Sequence, residues 1–199
     1  SRSLLPRDVE EELRLPRAPG FFRRFWAKHP VITDIVVAFV CLFFSLVPAG
    51  TFSGFSNDTE FWRITGVDPA TATTIIVVAA IAACVALLIR RRYPLIVFAI
   101  ALFAETTFLL APQPVGGPAL LVALYSVAVY GSTRSAWIAY GISAILVSGL
   151  SFGFGVAEAI PGSIGSNGIL NSVVFGLIGV LLGVNIGNRR RYLNALIER

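Results

Sequence analysis

The fold class this sequence predicts is all-α: a polytopic membrane helix bundle. Three observations predict it: 56% of the 199 residues are hydrophobic, only 14% are charged, and the apolar residues gather into six runs separated by short polar or basic segments. Soluble domains carry about 25% charged residues, and a soluble fold of this size has no interior large enough to hide so much apolar surface. A hydrocarbon layer about 30 Å thick, crossed by helices of about 20 apolar residues, suits this composition. The expectation is six transmembrane helices with both termini in the cytoplasm, in a multi-pass protein of the cell (plasma) membrane.

Residues 1–29 form a cytoplasmic N-terminal segment, polar and mixed in charge, with Pro6 placed to open a short helix. It closes on Phe21-Phe22-Arg23-Arg24-Phe25-Trp26-Ala27-Lys28, an interleaving of rings and cations that suits the headgroup layer. Arg23, Arg24 and Trp26 are therefore expected as interface anchors, with a lipid-sensing helix as the sharper alternative. The transmembrane domain occupies 30–188. Its spans are expected at 31–49, 70–89, 94–111, 115–131, 135–155 and 168–187, each near the length a bilayer requires. Residues 189–199 begin a cytoplasmic helix: no breaker follows Arg191, and Leu193, Leu196 and Ile197 continue an apolar stripe. The chain opens with Ser1, has no Met, and stops inside helix-forming sequence, as expected of a piece of a longer protein.

Orientation follows from the basic residues. Of the 16 Lys and Arg, fifteen lie on alternate sides of successive spans: seven in the N-terminal segment, Arg90, Arg91 and Arg92 after the second span, Arg134 after the fourth, and Arg189, Arg190, Arg191 and Arg199 after the sixth. The other side holds only Arg63. The positive-inside rule places the basic side in the cytoplasm. The arginine triplets are expected to meet headgroups, so the net charge of +5 reads as a topology signal and nucleic acid is excluded as a partner. On the outer side, loop 50–69 has room for recognition, through Phe55, Asp58, Phe61 and Trp62. Loop 156–167 reads as a flexible connector of small residues. Asn57-Asp58-Thr59 also matches a glycosylation acceptor.

No catalytic signature is present. The single histidine, His29, lies beside a Lys and a Pro at the membrane edge, and there is no phosphate-binding glycine loop, metal-ligand cluster or nucleophile–base set. Cys41 and Cys84 read as small hydrophobes. No metal and no cofactor are expected in this chain. Asp34 reads as an interfacial acid within reach of water or Lys28. Glu105 lies deeper, about two-thirds of the way through the third span, followed by Thr106 and Thr107. A charge at mid-bilayer costs about 2.5–3.5 kcal/mol, so Glu105 needs a partner such as Tyr125 or Tyr130, a cation, or a wet cavity. It is the candidate polar or sensing site. Gly176, Gly179, Gly183 and Gly187 line one face of the sixth span and invite close approach of another backbone, from the same chain or from a second copy.

Three segments carry a family resemblance. They are Arg90-Arg91-Arg92-Tyr93-Pro94, then Ala123-Leu124-Tyr125-Ser126-Val127-Ala128-Val129-Tyr130-Gly131 with Arg134 and Trp137, then Gly187-Asn188-Arg189-Arg190-Arg191-Tyr192-Leu193-Asn194-Ala195-Leu196-Ile197-Glu198-Arg199. In that order and spacing the region 30–199 resembles the N-terminal membrane region of sensor histidine kinases of the actinobacterial type, with the HisKA_3 style of dimerisation domain. The resemblance implies a homodimeric signal-input domain of a two-component system. Its sixth span would pass a conformational signal to a kinase core absent from this chain, so the chain by itself carries no catalytic residues. Membrane lipids and a membrane protein are the expected partners beside the second copy. Two other readings stand beside it: an accessory subunit of a membrane complex, and a small transporter that uses Glu105.

Overall fold

The computed structural model describes residues 28–50, 66–109, 118–156 and 162–197. The chain divides into two compact units, Ser1–Thr33 and Asp34–Arg199. Of the first, residues 28–33 are described, and there the Thr33 amide and hydroxyl both donate to the His29 carbonyl. Among the described residues the secondary structure is helical throughout. Six α-helices lie among the described residues: α1 Pro30–Gly50, α2 Pro69–Ala86, α3 Pro94–Phe108, α4 Pro118–Tyr130, α5 Thr133–Val156 and α6 Gly162–Ile197. The anchors Arg23, Arg24 and Trp26 and the loop residues Phe55, Asp58, Phe61 and Trp62 lie outside the described residues.

Among the described residues, three stretches are long and apolar enough to cross a membrane: Ala70–Ile89, Thr133–Gly153 and Ser172–Leu196. The other apolar helices, Pro30–Leu46, Pro94–Phe108 and Pro118–Tyr130, are shorter. The 15 residues of α3 and 13 of α4 rise only about 22 and 20 Å. The expectation of near-20-residue spans therefore describes α2, α5 and α6 better than α3 and α4.

Local chemistry explains where helices start and stop. Asp68 caps α2: its carboxylate accepts from the Thr71 amide at 2.9 Å and the Thr71 hydroxyl at 2.6 Å, and Pro69 supplies a first turn that needs no N–H. α2 tightens into a 3-10 turn, Leu87–Ile89, and ends because Pro94 pushes Tyr93 out of helical geometry, to φ −133° and ψ 65°. α4 ends at Gly131, whose N–H bonds to Val127 O. A side chain there would put its Cβ 2.6 Å from that same oxygen. Ser132 and Ser135 then cap α5 reciprocally, each hydroxyl accepting from the other's amide. α6 starts earlier than expected, taking in residues 162–167 of the expected connector. Once an apolar centre nucleates a helix, each further residue adds a hydrogen bond without a new nucleation cost, so the helix extends through Gly165 although glycine is about 1 kcal/mol less favourable than alanine.

α4 is the hub of Asp34–Arg199. It packs against α3, α5 and α6; α2 lies on α3, and α6 lies on α4 and α5. The seams are made of small residues: Ala80, Ala83 and Cys84 of α2, Ala101 and Ala104 of α3, and Ala123 and Ala128 of α4 are all buried. Small residues let backbones approach where no water is present to drive association. Many large side chains point outward, among them Phe39, Phe103, Ile145 and Phe152, while Leu87, Phe98, Phe108 and Leu124 fill the core.

The glycine stripe of α6 packs on α4 of the same chain. A Cβ at Gly179 would lie 2.8 Å from Leu121 O, one at Gly183 would lie 2.6 Å from Ala128 Cβ, and one at Gly187 would lie 2.8 Å from Ala128 O. Both helices advance together through this register, so α4 and α6 run parallel. Gly176, one turn earlier, faces the Tyr140 ring of α5, whose hydroxyl donates to Val173 O at 3.0 Å.

Two outcomes are expected. Gly183→Ala drives a methyl into α4, and the overpacking costs about 1–3 kcal/mol. Gly149→Ala on α5, where nothing lies within 4 Å of the new carbon, is neutral or stabilises by up to about 1 kcal/mol through helix propensity. Denaturant titration in micelles separates them. The Asp68 carboxyl is held below its usual range by the Thr71 hydroxyl and then by the Thr71 amide. Its capping contribution is therefore complete above the unfolded value of about 3.9 and lost as pH falls through the lower folded value. Above that acid window amide exchange at Thr71 should be slower than in an Asp68→Ala protein, and the difference should vanish below it.

Candidate functional site

Among the described residues of Asp34–Arg199, most charges gather at one end, Asp68 and Glu105 being the exceptions. The residues meeting there come from the start of α1, the α2–α3 turn, the α4–α5 turn and the exit of α6. Asp34, one turn into α1, is buried, and so is Arg90. Asp34 Oδ1 accepts from Arg90 Nη2 at 2.7 Å and Arg90 Nε at 3.1 Å. It also accepts from Arg91, through Nε to Oδ2 at 2.6 Å and Nη2 to Oδ1 at 3.2 Å. One carboxylate thus serves two guanidinium forks, which suits the planar geometry of arginine. The bond to Asp34 pushes the Arg91 guanidinium higher still above its ordinary range.

Arg91 also lies against the Tyr130 ring, its Cζ 5.9 Å from the centroid, and Arg190 of α6 lies 5.7 Å from the same centroid. Tyr130 ends α4. A single aromatic ring therefore joins the α2–α3 turn to the exit helix through cation–π contacts. Arg191 adds a second tie. Its Nη2 donates to Ala128 O at 3.0 Å and its Nη1 to Thr133 Oγ1 at 3.0 Å and Asn188 Oδ1 at 3.3 Å. The Ala128 carbonyl belongs to the last turn of α4, where a cation is favoured by the helix dipole. Gly187 leaves the space that this arginine needs: a Cβ there would lie 3.1 Å from Arg191 Nη2.

The residues singled out in the sequence fall in different places. Arg90 turns inward, whereas Arg92, Arg189 and Arg190 are exposed. Asp34, read as an interfacial acid near Lys28, is the centre of the charged cluster. Glu105 is buried on α3, eleven residues beyond Pro94, and so about 16 Å along the helix from the arginine end. Thr106 and Thr107 turn their hydroxyls to their own helix, onto Phe103 O and Ala104 O. Tyr130 belongs to the arginine cluster, and Tyr125 lies within the electrostatic reach of Arg90, Arg91 and Arg190. Between α2 and α3 an apolar groove of about 310 Å³ is lined by Thr74, Val78, Ala82, Ile100, Phe103 and Thr107.

The arrangement couples elements mechanically. Among the described residues it offers no nucleophile–base pair, and its chemistry is recognition of charge. Sequence reasoning missed the Asp34–Arg90 pair because 56 residues separate the partners. The signal was nevertheless present: an acid inside an apolar run requires a cation, and counting apolar runs puts the Arg90–Arg92 turn on the same side as the start of the first run.

A family profile described as Domain of unknown function (DUF7134) matches residues 22–192. No curated protein and no solved structure matches the chain.

Arg90→Ala leaves Asp34 buried beside a single, half-solvated partner and should cost about 3–5 kcal/mol. Arg91→Ala removes a side chain that is 39% exposed and should cost about 1 kcal/mol or less. Unfolding free energies in micelles should keep that order. Equal losses would mean that Asp34 does not depend on the buried partner.

Proposed function

The chain belongs to the DUF7134 family, and we propose that it is the membrane-embedded signal-input domain of a two-component sensor histidine kinase, with six membrane-spanning helices and both termini in the cytoplasm. The single observation that carries this reading is α6. It runs unbroken over 36 residues, from Gly162 to Ile197. At 1.5 Å per residue that is about 54 Å, well beyond the roughly 30 Å of a hydrocarbon core. Part of the surplus, residues 192–197 or about 9 Å, lies past the arginine cluster, where Tyr192, Leu193 and Leu196 expose apolar surface.

A rod of this kind transmits what happens inside the bundle. Its inner half is seated on α4 by glycines, and its exit is tied by Arg190 and Arg191. A stimulus that shifts α4 or α1 changes those ties and moves the rod as a unit, as a shift between two packed states. The shorter α3 and α4 cross with local thinning of the bilayer or with their flanking residues reaching the interface. The exposed stripe beyond Arg191 would mate with the same stripe of a second copy, since the glycine stripe is already occupied by α4. The basic turns, gathered at one end, face the cytoplasm. The plasma membrane is the site, and membrane lipids or a membrane protein are the source of the stimulus.

A transporter reading has one observation in its favour, the buried carboxyl of Glu105. Purified chain in liposomes would then move a cation or proton in a way abolished by Glu105→Gln.

Reading the coding frame past Arg199 tests the sensor proposal first. A helix leading into a histidine-bearing hairpin and an ATP-binding domain is the expected result, and a stop codon near Arg199 would sink it. Topology is tested separately with single cysteines introduced at Ser132 and Tyr192 in a chain lacking Cys41 and Cys84. Both should react with an impermeant maleimide only after the cells are opened.

A further inference from the structure

The glycine stripe seats one face of α6 on α4, and Asn185 lies on the opposite face. It is two residues from Gly183, which places it about 160° around the helix from that contact. It is exposed. The neighbouring Asn188 accepts hydrogen bonds from Thr133 and Arg191, whereas the Asn185 amide makes none among the described residues. Asn185 falls within the apolar stretch Ser172–Leu196, four residues or about 6 Å inside Arg189. An amide has two donors and an acceptor, and hydrocarbon satisfies neither kind of group.

The residues that share this face form a stripe. Val174, Ile178, Leu181, Asn185, Tyr192 and Leu196 follow one another at steps of three, four or seven, and all are exposed. That spacing is the one by which two helices meet along a seam. Arg189 lies on its flank, and its side chain is long enough to reach headgroups.

We propose that Asn185 is the polar contact of a dimer seam inside the membrane, paired with the same residue of a second copy. Self-complementarity commits the face to a second copy. Copies in one membrane share an orientation, so their α6 helices run parallel and a two-fold axis brings equal depths together. Each carboxamide then donates to the other and accepts from it. An acyl chain offers neither group. A single asparagine in an apolar seam also fixes register and the number of helices. The seam runs on past Arg191 into Tyr192 and Leu196, the surface assigned above to a second copy, so the two parts form one interface. This inference rests on the membrane reading above and needs no kinase core.

The test uses the full chain in phosphatidylcholine vesicles, with Cys41 and Cys84 replaced and a donor or acceptor dye on Ser132→Cys. Energy transfer between copies is followed as the protein is diluted with lipid. The parent chain should associate in pairs. Asn185→Leu should raise the dissociation constant about threefold to tenfold, the range for one interhelical hydrogen-bonded contact, and Asn185→Gln, which keeps the amide, should recover most of that loss. Phe175→Ala, at an exposed position about 80° around the helix, should leave the constant unchanged. No effect of Asn185→Leu would overturn the proposal and assign the amide to interfacial water. Equal losses from Asn185→Leu and Phe175→Ala, or from Asn185→Leu and Asn185→Gln, would overturn it as well, the first by making the contact a general apolar one and the second by making it one of shape. Flotation of the same vesicles keeps the two readings apart. A chain that stays in the aqueous phase fails the membrane reading, whereas a chain that floats as a monomer at every dilution fails only this inference.

Discussion

A carboxylate removed from water cannot stand alone, and Asp34 is such a group. Its burial is tolerable because two guanidiniums converge on it, and that convergence ties α1 to the α2–α3 turn. The rest of the charged end is arranged around this tie. Arg91, held by Asp34, lies against Tyr130; Tyr130 also meets Arg190; and Arg191, one residue on, closes onto the last turn of α4. Loosening Asp34 would therefore be felt at the exit helix through contacts between named neighbours, without any long-range conduit being needed.

The apolar part of the bundle serves the same end by different means. Helices in an apolar solvent gain little from hiding more apolar surface, so they associate through close packing. Gly179, Gly183 and Gly187 bring α6 against the α4 backbone in parallel register, and Gly187 also clears the path along which Arg191 reaches Ala128 O. Packing and charge are thus coupled at a single residue. A side chain at Gly187 would disturb both, while Gly141 and Gly149, with open space around them, carry no such duty.

Function, on the reading proposed here, is the consequence of a rod fixed at two levels. The glycine seam holds α6 inside the bundle, the arginines hold it at the rim, and beyond the rim it continues for between one and two turns with an exposed apolar stripe. Small changes at the rim become movements of the whole extension because a continuous helix transmits rotation and translation without bending.

Composition and the run lengths of apolar residues were enough to specify a helical architecture, the location of six apolar helices, and a division of the basic residues onto alternate connections. These are local properties: a helix is stabilised by residues three or four apart, and prolines at 69, 94 and 118 mark starts that no distant contact is needed to explain. The extent of α6 through residues 162–167, the choice of α4 as the mate of the glycine stripe, and the pairing of Asp34 with Arg90 were decided only by tertiary structure. The stripe is equally suited to any backbone presenting small residues, and an acid is equally suited to any cation at its depth. Which one is chosen depends on where the turns bring the helices together, and that is a property of the packed chain.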